Sequence, residues 1–174
     1  MQILPINPSN AEELSSLAKN IYKEHYLHLW HPGGAEWYMD EYAYNPETLR
    51  KELADSDNLH FIVYDGEQPL GYLKIKLYEK LPGFEQLNSL EIERIYLHKK
   101  AAGKGIGKQL MQLAETIATQ HKKEMIFLKA MDTSTASIGF YQKNGYSLCG
   151  TLKLSFTQLK EVYCGMVILQ KFLS

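Results

Sequence analysis

The spacing of apolar residues along the chain predicts four helices. In the third of them, apolar side chains recur every three or four positions, which places them on one face of a helix. Ser9, with Glu12 three residues later, predicts a capping box at the start of the first. Asn45 before Pro46 predicts the start of the second. The predicted helices are residues 9–26, 45–54, 106–122 and 134–145.

Apolar runs between these helices predict the strands of a sheet. Two β-rich runs flank the dipeptide Asp65-Gly66, which accepts positive φ and therefore predicts a hairpin. The predicted strands are residues 3–6, 59–64, 70–79, 90–98, 125–130, 146–154 and 163–172. An antiparallel meander thus precedes a strand–loop–helix–strand unit, and this order predicts an α+β fold.

Length and composition restrict the classes of protein to consider. The chain has 174 residues, which predicts a single domain over residues 1–174. The chain has 19 basic and 20 acidic side chains, so its net charge is close to zero. We therefore expect neither a nucleic acid nor a membrane as partner. With no export signal and no apolar segment near ~18 residues, we expect a cytoplasmic protein. Cys149 and Cys164 lack CxxC spacing, which favours reduced thiols and leaves one bridge between them as the alternative.

Charge is unevenly distributed along the chain. Residues 1–60 hold ten acidic and four basic side chains, whereas residues 98–129 hold seven lysines and two glutamates. The basic region contains the glycine-rich stretch KKAAGKGIGKQL, residues 99–110, directly after a predicted strand. Strand, glycine-rich turn and helix amino terminus together suit a phosphate group.

The glycine-rich stretch fits neither of two common nucleotide-binding motifs. A Walker A loop needs Ser or Thr after Gly-Lys to hold Mg²⁺, but Gln109 follows Gly107-Lys108. The dinucleotide fingerprint GxGxxG fails because Lys108 stands where the third glycine belongs. The remaining interpretation is a pyrophosphate site made of backbone N–H groups, with no metal ion.

Two ordered motifs resemble those of the GNAT acetyltransferases. The stretch Ala102–Gly107 is similar to the signature Gln/Arg-x-x-Gly-x-Gly/Ala. Ser134–Tyr146 is similar to Asn-x-x-Ala-x-x-Phe-Tyr-x-x-x-Gly-Phe. The resemblance extends over residues 2–172 and implies the α/β/α-layered GNAT fold. That fold has a mixed, mostly antiparallel sheet of about six or seven strands flanked by about four helices.

The resemblance implies acetyl-CoA as co-substrate, with no metal, and names the residues that bind it. They are Ile95, Tyr96, Leu97, Ala102, Gly103, Lys104, Gly105, Ile106, Gly107, Lys108, Ser134, Ser137, Tyr141 and Lys143. Three of these depart from the family pattern: Ala102 replaces Gln or Arg, Ser134 replaces Asn, and Ser137 replaces Ala. Backbone contacts survive such changes, whereas a contact specific to the Asn side chain does not.

The resemblance also implies catalytic roles. Tyr141 holds the position of the acid that protonates the coenzyme A thiolate, and the N–H of Leu97, at a strand bulge, would meet the oxyanion. A protonated amine must lose a proton before it attacks, so Glu91 and Glu93 are candidate bases. They lie two apart on one strand face, and Glu91 matches the base of histone-acetylating members. The alternative is two ordinary solvent-facing carboxylates.

The acceptor has to be inferred from the first third of the chain. Aromatic residues alternate there with acids, which suits an organic cation. The competing explanation, which the pattern favours, is a helix whose aromatic side packs on the sheet while its acids face water. The aromatic residues are Trp30, Trp37, Tyr38, Tyr42 and Tyr44, and the acids are Glu36, Asp40, Glu41 and Glu47. His25, His28 and His31 are spaced by three, but Pro32 argues against their convergence on a metal.

The expected function is N-acetylation of a primary amine by direct attack in a ternary complex. The segment ERIYL and the closing Gly165-Met166 and Lys171 resemble bacterial polyamine and small-amine N-acetyltransferases. A small-molecule amine such as a polyamine is therefore the expected acceptor, and a homodimer is a possible assembly. The alternatives are an acyl-CoA-binding module without efficient catalysis and an enzyme that acetylates a protein or peptide amine.

Overall fold

The computed structural model describes residues 1–174, built around one seven-stranded sheet. The strands are β1 (Gln2–Pro5), β2 (Asn58–Asp65), β3 (Gln68–Lys76), β4 (Ser89–Leu97), β5 (Met125–Met131), β6 (Ser147–Lys153) and β7 (Gly165–Phe172). Their order across the sheet is β1-β2-β3-β4-β5-β7-β6, and only β4 and β5 run parallel. The predicted mixed, mostly antiparallel sheet is confirmed.

Helices cover both faces of this sheet. They are α1 (Ala11–His25), α2 (Gly34–Trp37), α3 (Pro46–Ala54), α4 (Ile106–Gln120) and α5 (Thr135–Lys143). One core cluster joins the sheet to α4 and to Tyr141 of α5, and the other joins it to α1, α2 and α3. The layered arrangement is therefore as predicted. The short α2 and the π-helical turn that continues it, Tyr38–Ala43, were not predicted.

The start of α1 differs from the prediction. A 3₁₀ turn at Pro8–Asn10 precedes the helix, and Asn7 caps that turn by accepting the N–H of Ser9 at 2.9 Å. Asn10 completes the capping box by accepting the N–H of Asn7 at 3.1 Å. The predicted box of Ser9 and Glu12 is wrong, because Pro8 fits the first position of an earlier turn and moves the cap to Asn7.

β4 and β5 pair over only part of their length. The ladder joins Ser89–Ile92 to Met125–Leu128 and then stops, so the later residues of the two strands are not paired with each other. On its other side, β4 continues to pair with β3 as far as Leu97. The sheet is therefore split between β4 and β5, which leaves the second half of β4 with one open edge.

Two further features concern the environment of the chain. α1 and α4 have 15 residues each, and no helix is both long and apolar enough to cross a membrane. Both cysteines are free thiols: Cys164 is buried and Cys149 is half-buried. The alternative of a bridge between them does not apply to this structure.

Candidate active site

A cavity of about 180 Å³ lies where β4 and β5 separate. Sixteen of its 20 lining residues are hydrophobic. The aromatic ones are Tyr22, Tyr26, Trp30, Tyr38, Tyr96, Tyr141 and Phe156. The charged ones are Glu93 on β4 and Lys129 on β5. The cavity is thus an aromatic pocket with one acidic and one basic side chain in its wall.

The glycine-rich loop before α4 presents a row of free backbone donors. Gly103 and Gly105 both have φ of +74°, a conformation that glycine adopts without strain. The N–H groups of residues 103–108 make no hydrogen bond to another backbone group. A Cβ built on Gly103 or Gly105 would meet no protein atom within 4 Å. The loop therefore has open space beside backbone donors that no backbone acceptor uses, which fits the binding of a pyrophosphate.

A close contact joins this loop to the aromatic pocket. A Cβ on Gly107 would lie 3.2 Å from Cζ of Phe140, so glycine allows the amino-terminal turn of α4 to pack against α5. Phe140 precedes Tyr141, and the two rings are 5.4 Å apart between centroids. The loop therefore packs through Phe140 against the wall of the pocket.

The open edge of β4 contributes Ile95 and Tyr96 to the pocket, and the chain continues from it into the glycine-rich loop. The N–H of His98 donates to the carbonyl of Leu70 at 2.9 Å, so by the alternation of an antiparallel ladder Leu97 turns its backbone groups away from β3. The carbonyl of Leu97 accepts a hydrogen bond from Nε2 of His25 at 3.0 Å. The expected bulge is present in β4, but it lies at Glu93 rather than at Leu97.

The predicted acid, Tyr141, lies in the pocket wall. Its side chain is only 9% exposed. Burial, with a smaller contribution from Tyr26, raises the pKa of its phenol well above the ordinary value. A phenol in this environment stays protonated at neutral pH and can donate a proton or a hydrogen bond.

The two candidate bases occupy different places. Glu91 is the ladder partner of Lys76 on β3, and Oε1 of Glu93 lies 3.9 Å from Nζ of Lys76, so the two glutamates share a face as predicted. Glu93 lines the pocket, whereas Glu91 does not. Glu91 is 3% exposed and pairs with Lys129 at 3.0 Å. Neither is an ordinary solvent-facing carboxylate.

The first third of the chain contributes aromatic rings to the pocket but no acids. Trp30 and Tyr38 line it, as do two tyrosines that sequence reasoning missed, Tyr22 of α1 and Tyr26 directly after that helix. All four acids considered for the acceptor, Glu36, Asp40, Glu41 and Glu47, are exposed on the outside. The four acids therefore face water, as the packing interpretation of this segment expects.

The structure brings together most of the residues predicted for the coenzyme. Ile95, Tyr96, Ser134, Ser137 and Tyr141 line the pocket, and Ala102–Lys108 form the loop. Leu97 is on the open edge without lining the pocket, and Lys143 is exposed at the end of α5. Of the residues missed, Lys129 had a signal in the sequence: a lysine within an apolar run that predicts a buried strand.

No metal site accompanies these features. No three His, Cys, Asp or Glu side chains lie close enough together to hold a metal ion. Of the three evenly spaced histidines, His25 contacts Leu97 and His28 packs edge-on against Tyr163. His31 is exposed. The three therefore do not converge.

Two proteins similar in sequence to this chain are named as N-acetyltransferases. An uncharacterised N-acetyltransferase of Lactobacillus delbrueckii subsp. lactis is 33% identical over 106 residues. The match covers 60% of this chain and 61% of that relative. A probable spermine N(1)-acetyltransferase of Bacillus subtilis subsp. natto is 23% identical over 112 residues, 61% of this chain and 73% of the relative.

The fold is shared with solved structures, and the family follows from the sequence. A crystal structure of paia N-acetyltransferase from Thermoplasma acidophilum in complex with coenzyme A has a TM-score of 0.76 and 22% identity, covering 99% of this chain and 100% of that one. The sequence model of the Acetyltransferase (GNAT) family matches residues 21–146. Because that match spans well over half of the chain, the protein belongs to the acetyltransferase (GNAT) family.

Proposed function

We propose that the protein is an N-acetyltransferase that moves an acetyl group from acetyl-CoA to a primary amine of a small molecule, directly in a ternary complex. One observation carries this proposal: the loop of free N–H groups packs through Phe140 against the wall of the aromatic pocket, and the open edge of β4 supplies Ile95 and Tyr96 to the same wall. Acetyl-CoA supplies the activated acetyl thioester.

Each of these parts has a distinct task. The N–H groups of residues 103–108 bind the pyrophosphate, and the N–H of Leu97 at the open edge faces the thioester carbonyl. Tyr141 gives a proton or a hydrogen bond to the departing thiolate, which needs it because the pKa of a free thiol is about 8.5. Glu93 attracts the acceptor ammonium group, which loses one proton to water before its nitrogen attacks the thioester carbon. The C–S bond then breaks, and the second proton lost from the nitrogen replaces the one that Tyr141 gave to the thiolate. Glu91, paired with Lys129, supports the pocket wall.

The pocket favours an organic cation as acceptor. Aromatic faces attract ammonium groups, and Glu93 adds the complementary charge. The name of the Bacillus relative, a probable spermine N(1)-acetyltransferase, supports a polyamine. Because the cavity is about 180 Å³, a protein or peptide acceptor could insert only an end or a side chain.

A thiol-release assay with acetyl-CoA tests this function. The panel consists of spermidine, spermine, n-butylamine, amino acids, aminoglycosides and a lysine-containing peptide. We expect turnover to be fastest with a small amine. Turnover with the peptide alone would favour the protein-acetylating alternative. Coenzyme A binding without turnover of any amine would favour an acyl-CoA-binding module without efficient catalysis.

Coenzyme A binding is expected to need no divalent ion, because the loop supplies backbone donors and lysines but no metal ligand. Calorimetric titration in excess EDTA should give the same affinity as titration with added Mg²⁺. A strict requirement for Mg²⁺ would contradict the proposed loop chemistry. A Mg²⁺-dependent nucleotide-binding protein serves as the control for the EDTA treatment.

The pH dependence of kcat/KM for the acceptor is expected to follow the amine itself. No histidine lines the pocket, burial raises the pKa of its tyrosines Tyr22, Tyr26, Tyr38, Tyr96 and Tyr141, and nearby cations lower that of Glu93. For an amine of pKa about 10.4, kcat/KM should rise about tenfold per pH unit between about pH 6 and 9. A plateau near pH 7 would instead reveal a base in the site.

A further inference from the structure

A buried ammonium group lies behind the acidic residue of the pocket. Lys74 on β3 is 2% exposed, which is rare for a lysine. Its Nζ lies 3.0 Å from Oε2 of Glu52 on α3 and 2.5 Å from Oε2 of Glu93 on β4. One cation is thus shared between a carboxylate that lines the pocket and one that does not.

The bulge in β4 brings Glu93 to this cation. The ladder with β3 pairs Lys74 with Arg94 and Ile75 with Ile92, so Glu93 is the extra residue. Glu93 and Arg94 consequently both contact partners on the side covered by α3, where regular alternation would separate them. Without the bulge, only one of these two neighbours would reach that layer.

The other cations near Glu93 either pair with a different carboxylate or lie farther from it. Nη1 of Arg94 pairs with Glu52 at 3.0 Å, and the guanidinium lies 5.5 Å from the centre of the Tyr44 ring. Nζ of Lys76 lies 3.9 Å from Glu93. Lys74 is therefore the closest positive group to the Glu93 carboxylate.

The combined charges determine the ionisation of Glu93. Burial alone would raise its pKa, but Arg94, Lys74 and Lys76 outweigh burial and hold the pKa below its ordinary value. Two further titratable groups lie near Glu93. They are Glu52 on α3, which shares the Lys74 ammonium group, and the phenol of Tyr38 in the π-helical turn. A carboxyl group with a lowered pKa stays charged and is a weak acceptor of protons from an amine of pKa about 10.4.

We propose that Lys74 is the positioning residue for Glu93: its buried ammonium group fixes the Glu93 carboxylate, charged, in the wall of the pocket where the acceptor cation binds. Glu52 shares the ammonium group and limits how strongly it acts on Glu93. This inference rests on the proposed function, because it assigns Glu93 the task of holding the acceptor rather than taking its proton.

The first test follows the ionisation of Glu93 directly, without any acceptor. The ¹³C-carboxyl resonance of Glu93, assigned by its loss in Glu93→Gln, is titrated in the wild type and in variants. In Lys74→Met the midpoint should move upward by about one pH unit or more, whereas Lys74→Arg should stay near the wild type. In Glu52→Gln it should move downward, because Lys74 then acts on Glu93 alone.

Opposite shifts in Lys74→Met and Glu52→Gln support the proposal, and an unchanged midpoint in both overturns it. If Lys74→Met does not fold, Glu52→Gln decides: a downward shift supports the proposal, and no shift or an upward one overturns it. Thermal unfolding of each variant shows which are folded.

The second test measures acetylation of n-butylamine at pH 6 and pH 8. In Lys74→Met, KM for the amine should rise more at pH 6 than at pH 8, where Glu93 is fully charged again, while kcat changes less. Glu93→Gln should raise KM at both pH values. Equal effects of Lys74→Met at both pH values would overturn the proposal, since a merely structural defect acts that way.

The two tests separate this inference from the proposed function. If the wild type acetylates no amine, the proposed function fails, and with it the assigned purpose of Glu93. The carboxyl titration still establishes whether Lys74 controls Glu93.

Discussion

Replacing Tyr141 by phenylalanine is expected to slow acetyl transfer by about 10²–10⁴-fold, which corresponds to roughly 3–5 kcal/mol of transition-state stabilisation. The phenylalanine ring keeps the packing in the wall of the pocket and removes only the hydroxyl group. Affinity for coenzyme A should barely change, because the proposed pyrophosphate site is the loop at residues 103–108, whose N–H groups have no backbone partner. Single-turnover kinetics and calorimetry measure the two quantities separately.

Tyr146 provides a matched control for this substitution. Its ring lies 6.5 Å from that of Tyr141 between centroids, it is equally deep in the core, and it does not line the pocket. Its hydroxyl has no hydrogen-bond partner, so Tyr146→Phe should leave the transfer rate unchanged. If Tyr141→Phe also transfers acetyl groups at the wild-type rate in a single turnover, Tyr141 is not the acid.

Replacing Gly105 by valine is expected to weaken coenzyme A binding by about 10²–10⁴-fold. The Cβ would project into the space beside the loop that no protein atom occupies, where the pyrophosphate is expected. Losing two charge-assisted hydrogen bonds, at about 1.5–3 kcal/mol each, accounts for this range. Calorimetric titration with coenzyme A measures the loss, and acetyl transfer should fall with it.

The variant Gly66→Val is the control that separates the loss of coenzyme A binding from the effect of backbone strain. Gly66 also has positive φ, +60°, with open space around its Cβ, but it lies in the turn between β2 and β3. Valine should cost about 1–2 kcal/mol of folding stability at either glycine, because both backbones are left-handed. Only Gly105→Val should lose coenzyme A. Equal binding by the two variants would contradict the loop assignment.

Much of the fold could be predicted from the sequence because its signals are local. The hairpin at Asp65-Gly66 and the helix of residues 106–120 depend on neighbours within a few positions, and both are confirmed. The predicted capping box of α1 was wrong because a local signal can fit more than one turn. Two adjacent turns compete for the same polar residues there, and Pro8 decides in favour of the earlier one.

The pocket could be predicted only in part, because its walls come from distant segments. The family motif pointed to Tyr141, but Phe156 and Leu159 come from an irregular stretch that reaches the pocket by a bridge between Trp30 and Leu159. No pattern within that stretch indicates such a contact. Likewise, the strand pattern placed Glu91 and Glu93 on one face, but only Glu93 lines the pocket. Neither the bulge at Glu93 nor the separation of β4 from β5 has a signal in that pattern.

The place of β7 in the sheet imposes an order on assembly during synthesis. β7 is the last strand along the chain, yet it lies between β5 and β6, and β6 pairs with no other strand. β1 to β5 can therefore form on the ribosome from residues already made, whereas β6 has to wait for Gly165–Phe172. The pocket residues between β6 and β7, including Phe156, wait with it. A chain interrupted before Gly165 would leave the glycine-rich loop in place beside an unfinished aromatic pocket.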